Sequence, residues 1–204
     1  MSGIKGRFYV RRSVLDEPVL ATGPCPPTPD SQQVMTHQIE LKRITEPLLE
    51  ALDETFNTTH GIYLDRNTSL VQTLASVSAE EASQAISPGT ATIAAQVEHV
   101  RFYLDVLHDV IATKQIPKVD WREIWNTVTT VNSDEWENSK RRLEQSHQRV
   151  MDMINELDDW SGEYDIAGAI SILAHTAYHL GGIRQALAAV RSRDAGSPGE
   201  SKLL

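Results

Sequence analysis

Cysteine is nearly absent from this 204-residue chain, and its scarcity excludes two kinds of site. Cys25 is the only cysteine. A single cysteine cannot form a disulfide within the chain, and it cannot build a cysteine-rich zinc site. Any bound metal ion must therefore be held mainly by histidine, aspartate or glutamate.

Positive charge and long apolar runs are also scarce. The formal net charge is -9, and no cluster of lysine and arginine breaks the acidic balance. This argues against nucleic-acid and anionic-lipid partners, which need clustered basic residues. We see no apolar run near the roughly 18 to 20 residues that span a bilayer. The N-terminal "MSGIKGRFYVRRSVLDEP" has no apolar h-region, so we expect no secretory signal and a cytoplasmic protein.

Proline and glycine divide the chain into three parts. The stretch "ATGPCPPTPDSQQ" holds four of the nine prolines, and no helix can cross it. We therefore predict a loosely structured N-terminal extension over residues 1–34, a helical domain over 35–191 and a flexible C-terminal tail over 192–204. One hypothesis is that Met35 is the natural start of the protein.

The domain is predicted to be all-α, because no alternating β pattern of any length occurs. Four main helices are expected near residues 36–56, 92–112, 134–160 and 165–190, with one or two short helices between 57 and 91. Thr45, Ser78, Asp120 and Ser133 stand where helix starts are expected. The third helix carries a seven-residue seam typical of a four-helix bundle, made of Trp136, Leu143, Val150 and Leu157, with Ile154 between.

Two histidines stand four residues apart in the last helix, in "SILAHTAYHLGGIRQAL". His175 and His179 lie about 40° apart around the helix axis, at one edge of its apolar arc. Such a pair can ligate one metal ion, but two packed or two surface histidines are more common. The metalloprotease motif is not present, because no glutamate follows the first histidine.

A third histidine strengthens the metal interpretation. His99 lies at the edge of the apolar arc of the second helix, with Gln96 and Tyr103 one turn away on the same side. His147 is interpreted first as a packed residue near the core seam and only second as a fourth ligand. The other histidines are expected on the surface: His37, His60 and His108.

Three segments together resemble the DinB/YfiT-like metalloenzymes: "SPGTATIAAQVEH", "DWREIWNTV" and "HTAYHLGGIRQAL". The resemblance covers about residues 36–190 and leaves the N-terminal extension and His147 outside the family's pattern. It implies a four-helix bundle with long crossover connections and a divalent nickel or zinc ion on His99, His175 and His179. It also implies a homodimer, and for some relatives a low-molecular-weight thiol as co-substrate.

Three neutral imidazoles leave an open position on a divalent ion. The site therefore permits either metal-dependent hydrolysis or thiol-dependent transfer of a group on a small molecule. Tyr103, Gln96 and Arg184 are the candidate catalytic residues, and Tyr178 is a weaker one. The alternative is a non-catalytic bundle whose metal ion is structural, with the fourth position closed by His147 or a carboxylate. Gly181 and Gly182 are predicted to let a neighbouring helix or a second subunit approach closely.

Overall fold

The computed structural model describes residues 39–196, and within that range every regular element is helical. The predicted N-terminal extension, Cys25 and His37 lie outside the described residues. The helices are α1 (Lys42–Phe56), α2 (Leu70–Ala75), α3 (Ala79–Ala82), α4 (Ile93–Thr113), α5 (Ser133–Glu156) and α6 (Asp165–Gly196), with a 3-10 helix at Glu123–Asn126. The all-α prediction is confirmed, as are the two short helices expected between 57 and 91.

The four long helices form a bundle in which α4 packs against α5 and α6, and α1 packs against the same two helices. Ion pairs show that α4 and α5 are parallel, because Glu98 pairs with Arg142 and Asp105 with Arg149 at the same spacing. Two parallel neighbours need a long return connection, which residues 114–132 supply. The long crossover connections predicted for this bundle are therefore present.

Helix α6 runs antiparallel to α4. At one end Lys114 Nζ lies 2.5 Å from the buried Asp165 carboxylate at the start of α6. Farther along, the Gln96 side chain of α4 lies against Gly182 of α6. This arrangement brings the N-terminal half of α4 beside the middle of α6.

The predicted seam of α5 forms part of the bundle core. Trp136, Leu143, Val150 and Ile154 are all buried. Leu157 is only half-buried, because α5 ends at Glu156 and Leu157 takes an extended conformation. The prediction of helix to residue 160 is therefore wrong at this end.

One of the four expected helix starts is confirmed, one is displaced by one residue and two are wrong. Ser78 forms the predicted capping box of α3. The cap of α5 is Asn132 rather than Ser133, and its side chain accepts the N–H of Glu135. Asp120 caps no α-helix, since its carboxylate accepts the nearby Arg122 N–H at 2.9 Å and only a 3-10 helix follows.

The start of α1 also differs from the prediction. The helix begins at Lys42 rather than near residue 36, and Pro47 lies inside it. Thr45 is not the cap, because its hydroxyl donates to the Leu41 carbonyl, one turn earlier, at 3.4 Å. The first-turn amides of Arg43 and Ile44 donate instead to the Glu40 and Leu41 carbonyls, at 3.0 and 2.9 Å.

A single carboxylate organises the loop that follows α1. Glu54 is buried, and its two oxygens accept the backbone N–H groups of residues 60, 62, 63 and 64 at 2.6 to 2.9 Å. Burial would raise the pKa of Glu54, but these four hydrogen bonds to the charged form lower it to about 2. Nothing in the periodicity of the sequence distinguishes Glu54 from the exposed acids of α1.

Helix α6 is longer than predicted. It continues to Gly196, so the first residues of the predicted C-terminal tail are helical. It is also the one helix of the described residues that is long and apolar enough, by length and composition, to cross a membrane. A bundle's core helix passes the same test, and Ile172, Leu180 and Ile183 of α6 are buried here against the other helices.

Candidate metal centre

The structure brings His99, His175 and His179 together in the groove between α4 and α6. The ring of His99 lies 5.0 Å from that of His175 and 4.9 Å from that of His179, and the two α6 rings are 4.5 Å apart between centroids. One ring nitrogen from each residue lies within 4.8 Å of the other two. Residues 76 positions apart in sequence thus face one point.

Helical spacing explains this convergence. His175 and His179 occupy successive turns of α6, so the helix itself sets their relative position. The Thr92 hydroxyl caps α4 by accepting the Ala95 N–H, which fixes the first turn of the helix and the position of His99 two turns on. The antiparallel packing of α4 and α6 then sets the level at which the two helices meet.

The connection from α4 to α5 covers this groove. It runs back along α4 in the opposite direction. Trp121 packs against Phe102 and Tyr103. Trp125, four residues later, lies against His99, about one turn nearer the start of α4. The indole of Trp125 stacks on the His99 ring with centroids 4.0 Å apart and planes 18° apart. Tyr103 stacks in the same way on His175, at 3.7 Å and 12°.

The three imidazoles are neutral at physiological pH. Burial lowers the pKa of His99 to about 4 and, together with the neighbouring histidines, that of His175 to about 3 and that of His179 to about 4. Neutral imidazole is the form that carries a lone pair for a metal ion.

Two of the ring nitrogens also lack any hydrogen-bond partner. His99 Nδ1 and His175 Nε2 are buried and accept or donate no hydrogen bond. A buried polar atom without a partner costs about 1 to 3 kcal/mol, so a native protein seldom keeps two at one place without a use for them. The residues present therefore fit a metal ion: three neutral nitrogen donors converge, and two orphaned atoms are available.

The candidate ligand group in the described residues consists of these three histidines. Within residues 39–196, no fourth histidine, cysteine, aspartate or glutamate belongs to it. His147 is buried on α5 and stacks on Phe56 at 3.9 Å, which matches its interpretation as a packed histidine. His60 is exposed and bonds Asp53, and His108 lies beside Asp109.

The catalytic candidates divide into two groups. Tyr103 lies against His175, and Gln96 faces α6 one turn before His99, where its amide oxygen would lie 2.9 Å from a Cβ placed on Gly182. Gly182 therefore permits the close approach that was predicted. Arg184 instead lines a separate polar groove of about 380 Å³ between α2 and α6, whose lining includes none of the three histidines.

The remaining sequence candidates contribute less. A Cβ on Gly181 would meet no atom within 4 Å, so close packing does not require glycine there. The side chain of Tyr178 is 76% exposed and meets only the edge of His179 among the three histidines.

Trp125 is the site residue that the sequence reasoning missed. The segment "DWREIWNTV" was interpreted as a helix start at Asp120 and as part of a family resemblance, and no role was assigned to its tryptophans. Its position over the histidines depends on where a 19-residue crossover passes, and helical periodicity carries no information about that.

Comparison with known protein families assigns this chain to a family. Residues 63–183 match the family model described as the DinB superfamily, which is more than half of the chain. The matched segment contains all three histidines and the crossover with Trp125. Separate comparisons with curated proteins and with solved structures found no match.

Proposed function

The chain belongs to the DinB superfamily, and from this membership and the histidine cluster we propose that it is a metal-dependent enzyme. The observation that carries the proposal is the convergence of His99, His175 and His179, with one nitrogen from each within 4.8 Å of the others. The orphaned nitrogens of His99 and His175 support a ligand's role for these side chains, because neither atom makes a hydrogen bond that would serve the fold.

The donor set favours particular ions. Imidazole nitrogens suit zinc and nickel, whereas magnesium and calcium prefer oxygen ligands. Three neutral donors with no carboxylate among them leave the charge of a divalent ion uncompensated and at least one coordination position free. A bound ion of this kind makes water or a thiol a stronger nucleophile at neutral pH. This open position favours a catalytic centre over a structural one.

The neighbouring side chains define what the protein supplies beside the ion. Burial raises the pKa of Tyr103, although its contact with Ser171 opposes the change, so the phenol stays protonated at neutral pH. A protonated phenol next to His175 can donate a hydrogen bond to a substrate oxygen. Trp121 and Trp125 supply half-buried aromatic surface next to Tyr103 and His99. We propose either hydrolysis of a small molecule or transfer of a group to a low-molecular-weight thiol.

Metal binding is tested on protein purified without a histidine tag and stripped of metal. Isothermal titration with Zn²⁺ and with Ni²⁺ should give one ion per chain. His99→Ala and His175→Ala should each abolish the high-affinity binding, because two ligands from this set hold an ion far more weakly than three. His108→Ala is the matched control on α4 and should bind like the wild type. Unchanged binding in both triad variants would contradict the proposed site.

A second measurement separates a catalytic centre from a structural one. With Co²⁺ in the site, the visible spectrum reports the coordination of the ion. Adding azide or a simple thiol should change this spectrum if a position is open to exogenous ligands. A spectrum that neither ligand alters would argue for a closed structural ion and against enzymatic function.

A further inference from the structure

Two of the three histidines of this site, His99 and His175, are each stacked on an aromatic ring, and each has a buried ring nitrogen without a hydrogen-bond partner. A metal-ligating histidine usually donates its second N–H to a carboxylate or a carbonyl, which holds the ring in place. Here Tyr103 covers the face of His175 and Trp125 covers the face of His99. Flat side chains therefore take the place that hydrogen-bond acceptors usually have.

The need for an orienting contact is greatest at His99. His175 and His179 share one helix, so their relative position follows from the turn of α6. His99 alone comes from α4 and must present its nitrogen across the interface. The lone pair of an imidazole lies in the ring plane, so rotation of the ring about its bond to Cβ turns the lone pair away from the other two ligands.

Trp125 opposes that rotation. Its indole lies nearly parallel to the His99 ring, 4.0 Å away at 18°, and is 5.9 Å from the ring of His179. A ring that turned out of this plane would meet the indole. Trp125 thus contacts the candidate ligand of α4 and lies near one candidate ligand of α6.

Contacts within and after its short helix hold Trp125 in place. Ile124, the residue before it, is buried, and the Thr127 hydroxyl donates to the Ile124 carbonyl at 2.8 Å. Two residues farther on, the Thr129 carbonyl accepts the hydroxyl of Thr92, the cap of α4, at 3.0 Å. The indole is therefore placed relative to the same helix end that places His99.

We propose that Trp125 is a positioning residue that orients His99 for metal binding, so that the α4–α5 crossover sets the metal affinity of the site. This inference rests on the proposed function, since it concerns the same three-histidine centre. It adds a determinant of affinity that lies outside the ligand set and outside both ligand-bearing helices.

The test measures Zn²⁺ affinity by competition with a chelator in wild-type protein and in three variants. Trp125→Phe keeps a flat face against His99 and should bind within about threefold of the wild type. Trp125→Leu keeps apolar cover without a flat face, and we expect its affinity to fall about 10- to 100-fold, the loss typical of an orienting partner of a metal ligand. Trp160→Leu is the matched control, because the Trp160 indole donates to the Leu157 carbonyl beyond the end of α5 and stacks on none of the three histidines; its affinity should stay near that of the wild type.

The melting temperature of each metal-free variant separates positioning from folding. A purely structural role would lower the melting temperature of Trp125→Leu and leave the Zn²⁺ affinity of the folded protein unchanged, and that result would overturn the inference. Equal losses in Trp125→Phe and Trp125→Leu would also overturn it, because stacking would then not matter. If the wild type binds no Zn²⁺ or Ni²⁺, the proposed function itself fails, whereas wild-type binding with an unaffected Trp125→Leu defeats the positioning role alone.

Discussion

Burial of His147 should make this protein lose stability in mild acid. The side chain is only 4% exposed, it stacks on Phe56, and its Nε2 atom has no hydrogen-bond partner. Burial lowers the pKa of His147 to about 4, even though the nearby Asp53 carboxylate acts in the opposite direction. The folded protein therefore keeps this ring neutral at pH values at which an exposed histidine is charged.

The sign of the effect follows from proton binding. In the unfolded chain the pKa of His147 returns to 6.5, so between pH 6.5 and about 4 the unfolded state binds a proton that the folded state does not. The free energy of unfolding is then constant above pH 6.5, falls as the pH drops, and receives no further change from this residue below about pH 4. At 1.36 kcal/mol per pKa unit, the loss by pH 4 is about 3 kcal/mol.

The measurement is urea unfolding, followed by circular dichroism, at pH 7, 6, 5 and 4 with a chelator present throughout. His147→Phe keeps an aromatic ring against Phe56 but cannot bind a proton. Any packing cost of the larger ring is the same at every pH, so it cancels when each protein is compared with itself. Between pH 7 and 4 the variant should lose about 3 kcal/mol less than the wild type.

The control is a histidine removed from the outer part of the bundle. His108→Phe on α4 should follow the wild-type pH dependence, because the His108 ring is much less buried than that of His147. If His147→Phe lost as much stability as the wild type between pH 7 and 4, the buried-neutral account of His147 would be refuted. In that case the free energies of unfolding of the variant and the wild type would differ by the same amount at every pH, which is the effect of packing alone.

Two further predictions concern α6 and the loop after α1. Gly181→Ala should stabilise α6 by up to about 1 kcal/mol and so raise the melting temperature. Gly182→Ala should raise the melting temperature less, because its new methyl group displaces the glutamine of α4 that lies there. Thermal unfolding compares the two variants, and a larger increase for Gly182→Ala would contradict the packing of α4 against α6. Glu54→Gln should speed amide hydrogen exchange of residues 60–64 about tenfold or more, because a carboxamide has one acceptor oxygen and turns an NH₂ group toward amides that are themselves donors. Glu50→Gln, exposed on the same helix, should leave that exchange unchanged.

Much of the helical part of this fold could be predicted from local pattern. Thr92 begins α4 within one residue of the predicted start, and the seam of Trp136, Leu143 and Val150 is buried as predicted. Both depend on interactions within a few turns, which the sequence records directly. The end of α5 could not be read in the same way, because the apolar Leu157 and Trp160 continue the pattern after the helix stops, with the Trp160 indole N–H donating to the Leu157 carbonyl.

The candidate site also has features that local sequence predicts and features that depend on tertiary packing. The spacing of His175 and His179 and the side of α4 that carries His99 are local properties, and the structure brings these three residues together. Arg184 was a candidate for the same site because sequence gives its distance along α6 but not its neighbours. The structure places it on the opposite flank of the helix, beside α2.

By itself, then, the sequence determined most of each helix, the faces on which the three histidines lie and the scarcity of cysteine ligands, because each is set by residues within one or two turns or by composition. Only the tertiary structure decided that His147 stacks on Phe56, that Glu54 accepts four amides of a loop and that Trp125 covers His99. These contacts join residues from different helices and connections. Their geometry follows from how the helices pack and where the crossovers pass, and no periodicity along the chain encodes it.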